Sequence, residues 1–201
     1  MTDRDRRTLL LLCAQPEVTI TYSRYGAGEA GPDLHVHRGH TDAFYVLAGE
    51  MTFTVGPGRA RTAVGAGGFV AVPPGVVHTY ALPGSAGAQW LNFHAVDGGF
   101  AAYLRGLRDG VDVAWDSFDP PVDGGRPADE ALVSPPGAGE PLREEGRDDG
   151  LLRGALPLLR VAEWPLDGSY DGPQIERAGD VVHARFALDR RLLHVRAPGS
   201  T

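Results

Sequence analysis

The chain has 201 residues and a mass of 21.3 kDa, enough for one large domain with a sizeable core. Its 28 Gly and 16 Pro favour many turns over long helices, while 42% hydrophobic residues exclude wholesale disorder. The net charge of −7 gives no electrostatic footprint for nucleic acid, and no apolar run approaches the roughly 18 residues of a membrane span. We therefore expect neither a nucleic-acid nor a membrane partner.

The first apolar segment is a run of four leucines, residues 9–12, which follows several charged residues. This run is short for the core of a secretory signal, and no small-x-small cleavage site comes after it. Cys13 is the single cysteine, so no internal disulfide can form. These two features predict a cytoplasmic protein.

Residues 18–96 alternate short apolar segments with Gly and Pro, a pattern typical of an antiparallel sandwich or barrel. The predicted strands cover residues 18–25, 34–37, 43–47, 51–55, 69–72, 77–82 and 89–96. The period then changes, because Phe100, Tyr103 and Leu107 share one helical face after a Gly-Gly pair. One short amphipathic helix is predicted over residues 100–108.

Four residues in this region have the chemistry of a metal site. His35 and His37 are two residues apart, so in a strand both imidazoles project from one face. Asp42 follows five residues later, and His78 comes after a Pro-Pro-Gly turn in a separate segment. Although a bare His-x-His is more often a surface feature than a metal site, three imidazoles and a carboxylate suit Fe, Mn, Ni, Co, Cu or Zn. Such a set also leaves coordination positions open for a substrate.

Residues 31–50 and 67–82 together resemble the two signature motifs of the cupin superfamily. The residues that meet the motif spacing are His35, His37 and Gly49 in the first segment and Gly67, Pro73, Gly75 and His78 in the second. The resemblance implies an all-β cupin double-stranded β-helix, or jelly-roll barrel, with one short helix. It also implies a divalent transition metal on His35, His37, Asp42 and His78. Asp42 stands in the place of the usual Glu and is one methylene shorter, so it either reaches the metal directly or binds it through a water and leaves a three-histidine site.

The same alternation predicts the walls of a substrate pocket. Phe44 shares its face with Asp42, and Tyr80 shares its face with His78, so both aromatic rings are predicted to line the cavity. Asn92 and His94 share one face of the next predicted strand. They are candidate pocket residues. The alternative is that Leu91 and Phe93, on the other face of this strand, line the cavity instead.

His40 falls in a turn between predicted strands and is expected to face solvent. The alternative is that His40 supports Asp42 through a hydrogen bond.

The resemblance implies a cupin barrel with the metal site at residues 15–110, and composition predicts a Pro-, Gly- and charge-rich linker at residues 111–155. Residues 172–188 match residues 31–47 at four positions when the sequence is shifted by 141 residues. Residues 156–201 are therefore predicted to be a truncated, degenerate cupin half-repeat that packs as extra strands. In this overlay Glu176 replaces His35 and Ala178 replaces His37, so no metal site is expected there.

The resemblance implies a quercetinase-like, mononuclear dioxygenase that acts on a small phenolic or enolisable substrate. Asp42 would complete the ligand set and accept a substrate proton. The alternatives are a non-catalytic cupin that binds a small molecule, and a metal-dependent isomerase or cyclase on the same site. A homodimer is also expected from the resemblance.

Overall fold

The computed structural model describes residues 7–83, 85–144, 147–166, 172–188 and 191–198. The elements of the first half are β1 (Arg7–Gln15), β2 (Val18–Tyr25), β3 (Thr41–Val55), β4 (Ala60–Gly65), β5 (Phe69–Val72), β6 (His78–Ala81), β7 (Ala88–Ala95) and α1 (Phe100–Asp109). A short 3-10 helix (Ala128–Glu130) precedes β8 (Leu132–Ser134), β9 (Glu140–Glu144), β10 (Arg147–Leu156), β11 (Leu159–Pro165), β12 (Gln174–Ala178), β13 (Val181–Leu188) and β14 (Arg191–Pro198). The predicted all-β class with one α-helix is confirmed.

Strands β1 to β8 form the barrel, with strand order β1-β2-β7-β3-β5-β8 and with β4 and β6 also paired to β3. The long strand β3 closes this barrel because its first part pairs with β5 and β7, whereas its second part pairs with β4 and β6. The two predicted strands 43–47 and 51–55 are thus one strand. Gly49 lies in the part of β3 that joins these two predicted strands. Its φ of 75° favours glycine, and a Cβ there would lie 2.1 Å from the Gly87 carbonyl oxygen.

Alternate residues of β3 face two different cores. Phe44 and Val46 belong to a cluster inside the barrel with Phe53 and Trp90. Ala43 and Tyr45 belong to a second cluster that also contains residues of β11, β13 and β14. The barrel therefore buries one face of its sheet against the second half of the chain.

The second half forms a six-stranded sheet in the order β12-β13-β14-β11-β10-β9. Its strands β11, β14 and β13 lie side by side, as β2, β7 and β3 do in the barrel. The pairing of residues across these strands corresponds as well. In the barrel, His94 of β7 lies between Thr19 of β2 and Asp42 of β3. In the second sheet, Arg196 of β14 lies between Arg160 of β11 and His183 of β13. This correspondence is what a partial, degenerate second repeat predicts.

Residues 111–155, which composition predicted to be an exposed linker, contain the 3-10 helix and strands β8 and β9, and β10 begins there. Strand β8 pairs with β5 of the barrel and β10 pairs with β11 of the second sheet. Glycine-rich and charged segments still form strands here because a neighbouring sheet edge supplies the backbone partners. This segment therefore connects the two sheets through paired strands.

Arg153 of β10 is buried between the two sheets. Its guanidinium donates hydrogen bonds to the carbonyls of Gly67 at 2.7 Å and Pro135 at 2.9 Å, and its Nε lies 3.2 Å from Oε1 of the buried Glu163. Glu163 also accepts a hydrogen bond from Arg191 at 2.7 Å. A buried guanidinium with these partners fixes the second sheet to the barrel.

Candidate metal centre

The four predicted ligands converge at one end of the barrel. Donor atoms of His35, His37, Asp42 and His78 all lie within 4.8 Å of one another. The segment that holds His35 and His37 was predicted as a strand, but it makes only isolated bridges. His35 and His78 exchange two backbone hydrogen bonds of 3.0 and 2.8 Å, and this exchange places the two imidazoles side by side.

Each of the three imidazoles has its Nδ1 atom against a backbone carbonyl. His35 Nδ1 lies 2.8 Å from the Asp33 carbonyl, and His78 Nδ1 lies 3.1 Å from the Val76 carbonyl. His37 Nδ1 contacts the carbonyl of Asp116. Because a carbonyl can only accept, each Nδ1 carries the proton and each Nε2 retains its lone pair. This is the form in which histidine binds a metal.

Two observations test whether these residues fit a cation. His37 Nε2 is buried and makes no hydrogen bond to any described residue. Asp42 Oδ2 lies 3.2 Å from His78 Nε2 and 3.5 Å from His37 Nε2, so three acceptor atoms face one another. Two ligand atoms that each lie about 2.1 Å from one metal ion are roughly 3.0 to 3.4 Å apart, which is close to the separations observed here. A cation between these three atoms would also remove their mutual repulsion. The donor set fits a divalent transition metal.

The electrostatics of the cluster keep His35 and Asp42 in their metal-binding forms. Burial, together with the neighbouring imidazoles of His78 and His37, lowers the pKa of His35 to about 4. Burial acts to raise the pKa of Asp42, but the surrounding imidazoles outweigh it and hold that pKa well below its usual value. At neutral pH the cluster therefore presents a neutral His35 and an ionised Asp42 carboxylate.

A cavity of about 450 Å³ opens beside this cluster, and both His35 and Asp42 line it. The four predicted pocket residues, Phe44, Tyr80, Asn92 and His94, all line the same cavity. The close approach of the loop before His35 to β6 requires Gly31, since a Cβ there would lie 2.0 Å from the Tyr80 carbonyl.

The opposite wall comes from α1 and the segment after it, and sequence analysis did not assign these residues to the site. This wall contains Phe100, Tyr103, Leu104, Leu107, Trp115 and Phe118. The ring of Trp115 lies 5.1 Å from the His37 ring and 4.8 Å from the Phe100 ring, so it covers the ligand cluster. The helical face predicted from Phe100, Tyr103 and Leu107 was the one available signal for this wall. Trp115 and Phe118 follow no pattern that marks them.

His40 is fully buried, so the prediction that it faces solvent is wrong. Its Nδ1 lies 2.8 Å from Asp116 Oδ2, and its Nε2 lies 2.9 Å from His94 Nδ1. His94 Nε2 in turn lies 2.9 Å from Asn92 Oδ1. A hydrogen-bonded chain thus runs from the partly exposed Asp116 through the buried His40 and His94 to Asn92. The turn appeared exposed in the sequence because its cover, the segment at Asp116, lies more than 70 residues away.

His37, His40 and His94 form another group whose nitrogen atoms are close enough to hold an ion. Their situation differs from that of the first group, because both nitrogens of His40 and both nitrogens of His94 contact hydrogen-bonding side chains. Only His37 keeps a buried nitrogen without such a partner, and it belongs to both groups. Hydrogen bonding therefore favours the group with His35, Asp42 and His78 as the metal centre.

A family model described as "Cupin domain" matches residues 21–94. Residues 21–94 form a cupin domain. The match includes all four candidate ligands, whereas the cover at Trp115 and the second sheet lie outside it. The implied membership of the cupin superfamily is thereby confirmed.

Several solved structures are similar to part of the chain. KdgF from Halomonas sp. is 12% identical with a TM-score of 0.42, over 48% of this chain and 84% of that one. The cupin domain of Schizosaccharomyces pombe Cnp3 is 19% identical with a TM-score of 0.42, over 53% and 73% of the two chains. An RmlC-like cupin from Shewanella frigidimarina is 26% identical with a TM-score of 0.38, over 45% and 74%.

No curated protein matches the sequence. Among the described residues, no helix is both long and apolar enough to cross a bilayer.

Proposed function

We propose that this protein is a metal-dependent cupin enzyme, a mononuclear dioxygenase that acts on a small phenolic or enolisable substrate. The observation that carries the proposal is the convergence of His35, His37, Asp42 and His78 beside a cavity with aromatic walls. A divalent transition metal held there would supply Lewis acidity for an ionised substrate oxygen and redox chemistry toward dioxygen.

Two of the four candidate ligands also line the cavity, and the other two do not. His37 and His78 belong to the cluster alone, whereas His35 and Asp42 also line the cavity, so a substrate meets these two residues first. Asp42 is the proposed acceptor of the proton that a phenol or enol loses on binding. It is buried, whereas Asp33 and Asp119, the other carboxylates at the cavity, are exposed to water.

The aromatic walls favour a flat, largely apolar substrate. Phe44 and Tyr80 lie edge to face at 5.6 Å on one side, and Trp115 covers the other side. Burial raises the pKa of Tyr80 well above its usual value, so its hydroxyl stays protonated and can donate a hydrogen bond to a substrate oxygen. These walls would also exclude water from the reacting atoms.

The test is oxygen uptake by protein loaded in turn with Fe, Mn, Ni, Co, Cu or Zn, against a panel of flavonols, catechols and β-diketones. We expect uptake with at least one metal and one substrate, and its loss in His78→Ala. His183→Ala is the matched control, because His183 occupies the position in the second sheet that Asp42 occupies in the first. Tight metal and ligand binding without oxygen uptake would contradict the dioxygenase and favour a non-catalytic binding cupin.

A further inference from the structure

Asp42 is held by a residue that is not itself in the ligand cluster. Asn92 of β7 lies opposite Phe44 in the antiparallel register, next to the pair formed by Asp42 and His94. Its Nδ2 atom donates hydrogen bonds to Asp42 Oδ1 at 2.6 Å and to the Ala43 carbonyl at 2.9 Å. Both protons of the amide are therefore committed to acceptors at the start of β3.

These two bonds fix the orientation of the amide. Asn92 Oδ1 must face the opposite way, and it lies 2.9 Å from His94 Nε2. Since an amide oxygen can only accept, His94 Nε2 carries a proton and donates it. His94 in turn contacts His40, whose other nitrogen contacts Asp116. The two acceptors at the start of β3, Asp42 Oδ1 and the Ala43 carbonyl, thus prevent the amide from turning over.

The two oxygens of Asp42 consequently differ. Oδ1 accepts the hydrogen bond from Asn92, whereas Oδ2 faces His37 and His78 at 3.5 and 3.2 Å. A free carboxylate can offer a metal one oxygen or two, and the choice changes the number of positions left for a substrate. Because the Asp side chain is one methylene shorter than that of Glu, it cannot compensate for a rotation of its carboxylate. Such a rotation of Asp42 would turn Oδ2 away from the imidazoles.

We propose that Asn92, held by His94, is a positioning residue that makes Asp42 a ligand through Oδ2 alone. The inference rests on the metal centre of the proposed function and deepens it. By holding Oδ1, Asn92 leaves the face of the cluster toward the cavity open for substrate. Asn92 lines that cavity as well, so its commitment to Asp42 also makes its amide unavailable to a substrate.

The experiment compares the parent protein with Asn92→Ser, and Gln89→Ser serves as the matched control. Gln89 carries the same amide group on the same strand, but it accepts a hydrogen bond from Tyr22 and does not line the site. Two readouts are used: the dissociation constant for Co²⁺, and the visible absorption spectrum of the bound Co²⁺, which reports coordination number. Melting of the metal-free variants checks that each one folds.

Asn92→Ser should weaken Co²⁺ binding by about 10- to 100-fold and should shift the Co²⁺ spectrum, because Asp42 is free to rotate or to use both oxygens. Gln89→Ser should change neither. A folded Asn92→Ser with the parent's dissociation constant and spectrum would overturn the inference and leave the metal centre standing. A parent protein that binds no Co²⁺ would instead overturn the metal centre itself.

A second variant keeps the inference testable if Asn92→Ser does not fold. Asn92→Asp preserves the shape of the side chain but replaces the donor that faces Asp42 with an acceptor. The same loss of affinity and the same spectral shift are expected, and parent-like values in both readouts would overturn the inference.

Discussion

The buried guanidinium of Arg153 should contribute more to stability than any surface ion pair among the described residues. Arg153→Met preserves much of the side-chain volume but removes the charge and the hydrogen bonds to the carbonyls of Gly67 and Pro135. Removal of one partner from a buried ion pair usually costs about 3 to 5 kcal/mol. Glu163 keeps its 2.7 Å hydrogen bond to the half-exposed Arg191, so the lower end, about 3 kcal/mol, is expected.

Equilibrium unfolding in urea measures this cost directly. Arg108→Met is the matched control, since Arg108 forms an exposed ion pair with its neighbour Asp109 and its loss should leave the free energy of unfolding unchanged. The double variant Arg153→Met/Glu163→Gln should be more stable than Arg153→Met, because a neutral amide costs less to keep buried than a carboxylate whose remaining partner, Arg191, is half-exposed. A cost below about 1 kcal/mol for Arg153→Met would refute the reasoning and place Arg153 among ordinary surface charges.

Three further predictions concern the cavity and the metal centre. Because the pKa of His35 is lowered to about 4 from an ordinary 6.5, the unfolded chain takes up a proton first as the pH falls. The free energy of unfolding of the metal-free protein should therefore fall between about pH 6.5 and pH 4, and a flat profile across that window in urea titrations would contradict this. Asp42→Glu should keep metal binding within about tenfold, whereas Asp42→Ala should lose at least that much, as isothermal titration would show; equal affinities would mean that the carboxylate is no ligand. Trp115→Ala should leave metal affinity within a few-fold of the parent but weaken binding of an aromatic ligand by about tenfold, since it removes one wall of the cavity; unchanged ligand binding, measured by fluorescence titration, would contradict that role.

Strands with strong local patterns could be predicted from the sequence, and strands that depend on distant partners could not. The apolar run Phe69–Val72 between Gly and Pro was predicted with its observed bounds. The strand Ala60–Gly65 was missed because most of its residues are exposed, so it has no apolar alternation. The strand Arg7–Gln15 was missed because a run of leucines has no period of two and gains its order from pairing with β2.

The candidate ligands could be predicted because two spaced motifs carry them, whereas the residues that orient them could not. The carbonyl of Asp116 orients His37, and the carboxylate of Asp116 holds His40, across 79 and 76 positions of sequence. A contact of that kind depends on where α1 and the segment after it fold over the barrel. Local sequence around His40 gives no sign of this cover, and its burial was therefore missed.

The central claim is that three imidazoles and the Asp42 carboxylate hold one divalent transition metal. The most direct test is isothermal titration of the metal-free protein with Co²⁺ and Zn²⁺, with the bound metal counted by elemental analysis. The parent should bind one ion per chain, and His78→Ala should lose tight binding because, of the two imidazoles that face Asp42 Oδ2, His78 lies nearer, at 3.2 Å against 3.5 Å for His37. Equal affinity and stoichiometry in the parent and in His78→Ala, or no binding by the parent, would contradict the claim.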